Sequence, residues 1–236
     1  MKPLKIMSMI VLLVGGLLPA GLSTKAFAPA VRISAAAEAS SQQRPMDAPE
    51  ADRKPAQPKT LFFSDIGPLS HQPVKETLQP GLSVIYFIGF FRHIDTLPKG
   101  DLAVLEGRPG NPIPCLNHQF EKGEIFDSGE NRGVGMRMKG FLYIPKAGTY
   151  AFQALSNDGI RVHLCGTMII DDPNVHSDRF SNEAVVEIAS SGWHSIQVEY
   201  FQRKGTAALK FLWKKPGVQE FEVVPAECFA HIPSKP

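Results

Sequence analysis

The densest run of side chains that could ligate a metal or move a proton is Asp171, Asp172, Asn174, His176, Asp178 and Glu183. Counted from Asp172, oxygen- or nitrogen-bearing groups fall at positions 1, 3, 5, 7 and 12, the spacing of an EF-hand calcium loop. The glycine that such a loop needs for its sharp turn is replaced by Ser177. Pro173 occupies the second position, and no helical periodicity flanks the run. The cluster therefore reads as a solvated loop, and Asp172 as part of the wall of a ligand site. A second polar group, Asn157-Asp158-Gly159, has the composition of a hairpin turn.

Catalytic patterns are missing around these residues. The sequence has no G-x-S-x-G, no H-E-x-x-H and no glycine-rich phosphate loop. Its seven histidines show no paired ligand spacing, and His163 and His194 fall on predicted strands as solvent-facing or hydrogen-bonded side chains. The carboxylates are too dispersed to nominate an acid/base pair for glycoside hydrolysis. The protein is expected not to be an enzyme. Cys115, Cys165 and Cys228 are an odd set, so at most one internal disulfide forms. Cys115 or Cys165 could pair with Cys228, or all three could be buried thiols.

The elements that would position these residues are strands. Val134, Met136 and Met138 alternate, as do Ile160, Val162 and Leu164 with Arg161, His163 and Cys165 between them. Residues 194–200 alternate again, and Ala207, Leu209, Phe211 and Trp213 interleave with Lys210 and Lys214. Such a period of two buries one side of a strand and wets the other. Lys146-Ala147-Gly148, Asn157-Asp158-Gly159, Cys165-Gly166 and Ser190-Ser191-Gly192 punctuate the runs as turns. No sustained 3.6-residue period follows the leader, and residues 101–107 hold one helical turn at most. The expectation is an all-β chain, a sandwich or barrel of antiparallel strands.

The start of the chain reads differently. Lys2 and Lys5 precede an apolar run over residues 6–18, followed by Ala26-Phe27-Ala28, the pattern of a secretory signal peptide at residues 1–28. The apolar run is shorter than the roughly 17–25 residues of a membrane span, so no span is expected in the mature form. Without that leader the chain carries 22 basic and 23 acidic residues, a net charge of −1. A basic footprint for nucleic acid is absent, so nucleic acid is not an expected partner. Residues 29–60 hold no aromatic residue, an Ala/Ser/Gln-rich stretch and five prolines. Such a segment cannot bury enough apolar surface to order itself. Residues 29–80 are read as a disordered linker, with Leu61, Phe62 and Phe63 able to dock on the domain that follows. The protein is expected to be secreted or periplasmic.

Two phrases, GFLYIPKAGTYAFQALSNDGIRVHLCGTMIID and SGWHSIQVEYFQRKGTAALKFLWKKPG, lie within residues 138–217. This stretch resembles a PA14 domain, the module of anthrax protective antigen, yeast flocculins and many secreted glycosidases. Gly81-Leu82 and Tyr86 resemble its opening and residues 221–229 its close, so the domain is placed at residues 81–232. The resemblance implies a jelly-roll-like β-sandwich. In the sugar-binding branch, two adjacent Asp residues joined by a cis peptide bind Ca2+, and sugar hydroxyls complete the shell. Asn157 and Asp158 match that pair, with one carboxylate replaced by an amide. Gln202 matches an Asn of the second calcium loop, which is about two residues short here and carries Arg203 and Lys204. The resemblance thus implies Asn157 and Asp158 as metal ligands, and Asn157, Asp158 and Gln202 as ligand-binding residues at one end of the sandwich; Asp172 joins them as a ligand-binding candidate because its loop follows the strand after Asn157-Asp158. The partner is expected to be a glycan, through a carbohydrate-binding or adhesion-type module. The alternative is an envelope or extracellular protein, through a structural or interaction domain without a sugar site.

Overall fold

The structure is a computed structural model that describes residues 59–67, 69 and 71–233. The leader at 1–28 and the linker from 29 to 58 lie outside the described residues. The chain runs through β1 (Thr60–Ile66), β2 (Gln79–Pro80), β3 (Ser83–Ile88), α1 (Asp101–Glu106), β4 (Arg108–Pro109) and β5 (Asn117–Glu121). The long strands follow: β6 (Val134–Ile144), β7 (Gly148–Asn157), β8 (Ile160–Leu164) and β9 (Thr167–Asp172). The chain closes with β10 (Arg179–Phe180), β11 (Glu183–Ile188), β12 (Gly192–Gln202), β13 (Ala207–Lys214), β14 (Glu222–Val223) and β15 (Phe229–His231).

These strands form two sheets. A seven-stranded sheet has the order β1-β11-β7-β13-β14, with β10 on β7 and β5 on β13. An eight-stranded sheet has the order β2-β15-β6-β12-β8-β9, with β3 pairing β6 and β4. The pairs are antiparallel except that of β1 with β11. The all-β sandwich expected from the alternation is therefore what the chain builds. Met136, Met138, Tyr150, Phe152, Ile160, Val162, Val198, Tyr200, Leu209, Phe211 and Trp213 are all buried between the sheets. Each apolar side chain so placed stabilises the fold by about 1.5–3 kcal/mol. Among the described residues no helix is long and apolar enough to cross a membrane. Cys115, Cys165 and Cys228 are all free thiols.

Two features depart from the sequence reading. The first is the domain boundary: the ordered domain does not begin at 81. β1 runs parallel to β11 from Thr60 opposite Glu183 to Ile66 opposite Ile188. Ile66 is the one residue of β1 that is buried, at 3% exposure. The strand is held by the backbone ladder on an otherwise open sheet edge, with Phe63 packed against the core, so the Leu61-Phe62-Phe63 run docks on the domain as an edge strand without a two-residue alternation. Gln72 then grips the main chain of Trp193, accepting its N–H at 2.7 Å and donating Nε2 to its carbonyl at 3.0 Å. The second feature is a small separate core of Phe87, Ile94, Leu97 and Phe201. The segment after β3 folds across the outer face of the eight-stranded sheet and covers Phe87 and Phe201 there. That segment carries the six-residue helix α1.

Candidate functional site

The sequence places Asn157 at the end of β7, where pairing with Ala208 of β13 holds it in register. The chain turns at Asn157-Asp158-Gly159 into β8, and the Asn157–Asp158 peptide bond is cis. Glycine is required at 159, because a Cβ there would come within 2.9 Å of the Pro173 main chain. Tyr200, fully buried on β12, donates its hydroxyl to the Asn157 carbonyl at 2.6 Å. Burial holds that hydroxyl well above its ordinary pKa, so it stays a donor. Asp158 N–H donates to the Phe201 carbonyl and Phe201 N–H to the Gly159 carbonyl, both at 3.0 Å.

Three loops meet here: the turn after β7, the loop after β9 and the loop after β12. Asp158 joins them. Its Oδ2 accepts the Arg203 N–H at 2.7 Å, and its Oδ1 accepts the His176 N–H at 3.2 Å. The residue is 3% exposed. Burial pushes its carboxyl above the usual range, and the two main-chain donors act in the opposite direction. Asn157, 6% exposed, donates Nδ2 to Asp178 Oδ1 at 2.7 Å and to Thr206 Oγ1 at 3.2 Å. Gln202 is fully buried: its Oε1 accepts the Gly133 N–H at 3.1 Å, and its Nε2 faces the carbonyls of Gly205 and Thr206.

Asp172 belongs to a neighbouring cluster. Its carboxylate takes both Nε and Nη2 of Arg179, and His176 Nε2 lies 3.3 Å away. The loop that carries it is pinned to the segment after β3, through Ile94 N–H to the Pro173 carbonyl at 2.9 Å.

Calcium requires six to eight oxygen ligands, with carboxylates among them. The donor set at this apex does not fit that requirement as it stands. Both oxygens of Asp158 and the oxygen of Gln202 already accept main-chain N–H groups. Asn157 turns its amide nitrogen, not its oxygen, to the nearest carboxylate. Among the described residues no group of three or more His, Cys, Asp or Glu could hold a metal ion. The arrangement can instead lock three loops together through one buried carboxylate. Thr206 and the Arg203 N–H escaped the sequence reading, because their roles depend on how tightly the loop after β12 closes.

Residues 119–227 match the PA14 domain family. They form a PA14 domain. Among curated proteins, the anti-sigma-I factor RsgI3 of Acetivibrio thermocellus is 24% identical over 182 residues, covering 75% of this chain and 25% of that protein. The chain thus spans about a quarter of the length of that relative. Among solved structures, an anti-sigma factor domain-containing protein from Clostridium clariflavum has a TM-score of 0.53 at 18% identity, over 66% of this chain and 49% of that one. The A domain of a subtype-switched Epithelial Adhesin 9 from Candida glabrata, solved in complex with beta-lactose, has a TM-score of 0.54 at 9% identity. That match covers 73% of this chain and 95% of the adhesin domain. At these identities the likeness to the solved structures is one of fold.

Proposed function

We propose that the PA14 domain is a non-catalytic carbohydrate-binding module on an exported protein. The observation that carries this reading is the sandwich itself: Candida glabrata adhesin domains with this fold have been solved with beta-lactose and with Galb1-3GlcNAc. Support also comes from the lack of any recognised catalytic pattern in the sequence. Calcium is not part of the proposal, because the donors around Asn157 and Asp158 are engaged with one another and with main-chain N–H groups. A glycan array run with calcium and again with chelator tests the reading. Equal binding in both arms supports it. Binding lost in chelator would return Ca2+ to Asn157 and Asp158, and a blank array would overturn the carbohydrate reading.

A second reading is a structural or protein-interaction domain of the cell envelope, and the closed apex favours it. A blank array would leave this reading in place. Export to the periplasm or the medium rests on Lys2, Lys5, the apolar run at residues 6–18 and Ala26-Phe27-Ala28. N-terminal sequencing of the mature protein checks it, with loss of residues 1–28 or 1–30 expected and an intact Met1 counting against it.

A further inference from the structure

The outer face of the eight-stranded sheet carries an open groove of about 520 Å³. Its floor is set by strand register. Lys139 of β6 stands opposite Gln197 of β12, which stands opposite His163 of β8. One row further, Phe141 stands opposite Ser195. The neighbouring residues Met138, Val198 and Val162 are buried in the core, so the floor side chains point away from it. In the row beyond, next to the groove and outside its lining, Tyr143 stands opposite Trp193, with ring centroids 5.1 Å apart. Tyr143 is 40% exposed. In the row on the other side of Lys139 and Gln197, Arg137 stands opposite Glu199, with Arg137 Nη2 2.8 Å from Glu199 Oε1 and Arg137 Nη1 donating to the Pro98 carbonyl.

We propose that this groove is the sugar site, and that it takes an extended polysaccharide chain without calcium. The inference rests on the carbohydrate-binding reading and moves the site from the apex to the sheet. From Lys139 to Tyr143 a strand advances about 13 Å, the length of a short oligosaccharide. The amide of Gln197, the hydroxyl of Ser195, the ammonium of Lys139 and the imidazole of His163 are hydrogen-bonding groups suited to sugar hydroxyls. Tyr143 and Trp193 supply faces on which the C–H side of a sugar ring stacks. His163 has a buried Nδ1 without a partner, and burial lowers its pKa, so the ring is neutral above the ordinary histidine range. The lining includes Lys139 and no Asp or Glu. Its charge therefore complements neutral and carboxylate-bearing chains and opposes basic peptides. All these groups stand on paired strands, which hold them in place before a ligand arrives.

The test is affinity electrophoresis of the full chain in gels holding hydroxyethyl cellulose, xylan, galactomannan or polygalacturonate, each with and without chelator. The expected result is retardation of the wild type in at least one gel, unchanged by chelator. Tyr143→Ala and Gln197→Ala should weaken it at least tenfold, while Lys210→Ala on the other sheet should not. Thermal melts of each variant establish that the fold persists. Retardation that survives both Gln197→Ala in the groove and Tyr143→Ala beside it overturns the groove and leaves the carbohydrate reading standing. A wild type retarded in none of the gels overturns the groove proposal, and a blank glycan array alongside it overturns the carbohydrate reading as well. Retardation abolished by chelator overturns the calcium-free site.

Discussion

The main-chain N–H of Arg203 lies 2.7 Å from Asp158 Oδ2, so a buried carboxylate ties the loop after β12 to the turn between β7 and β8. The other oxygen of Asp158 ties in the His176 N–H. Hydrogen bonds to a charged acceptor are worth about 1.5–3 kcal/mol each, and an N–H left buried without a partner adds a cost. Asp158→Ala is therefore expected to destabilise the domain by about 2–4 kcal/mol, read by urea unfolding. Millimolar calcium should leave the melting temperature of the wild type unchanged. A calcium-dependent rise in melting temperature would contradict the lock.

Trp213 and Lys210 lie on opposite faces of β13. Trp213 is 1% exposed and donates Nε1 to Glu222 Oε1 at 3.0 Å. Lys210 reaches Gln119 Oε1 at 3.1 Å on the surface. Trp213→Ala should cost about 3–5 kcal/mol, as large-to-small core changes do. Lys210→Ala should stay within about 0.5 kcal/mol. Equal effects in chemical denaturation would contradict the register.

A chain begun at Lys59 and one begun at Gly81 should differ in stability. The second lacks β1, its parallel ladder on β11 and the buried Ile66. It also lacks Gln72 on the Trp193 main chain. Its melting temperature is expected to be lower by more than about 5 °C, measured by calorimetry. Equal melting temperatures would show that β1 contributes nothing.

Acid should weaken the fold through histidine before it does so through carboxylates. His194 is fully buried, with Nε2 unpartnered and Nδ1 3.1 Å from the Gly192 carbonyl. Burial lowers its pKa from the ordinary 6.5, and burial lowers those of His118 and His163 in the same direction. A base with a depressed folded pKa takes up protons more readily when unfolded. Its stabilising effect is therefore complete above the unfolded value near 6.5 and declines as pH falls towards the folded value. Asp158, with a raised carboxyl pKa, acts in the opposite sense: it favours the folded state as pH falls towards the carboxylate range. Melting temperature should thus drop between pH 7 and pH 5, and His194→Leu should flatten part of that drop. An unchanged pH profile in His194→Leu would assign the effect to other groups.

Much of this molecule was legible from residue types alone. A period of two along residues 134–138, 160–164 and 207–213 identifies strands with one buried face, because successive side chains point to opposite sides of a pleated backbone. The turn at Asn157-Asp158-Gly159 follows from the turn-forming chemistry of Asn, Asp and Gly. The tertiary structure alone decided three further matters. β1 is a strand because β11 offers it an open edge, and the Leu61-Phe62-Phe63 run carries no alternation that would identify it as one. Asp158 is a lock because the short loop after β12 brings the Arg203 N–H within 2.7 Å of its carboxylate. Lys139, Gln197 and His163 form one floor because register aligns three strands that the chain visits at distant points. Sequence determines which way a side chain faces along its own strand, since that depends on neighbours two residues away. Which side chains share a surface depends on long-range pairing and loop closure, and those exist only once the sandwich has formed.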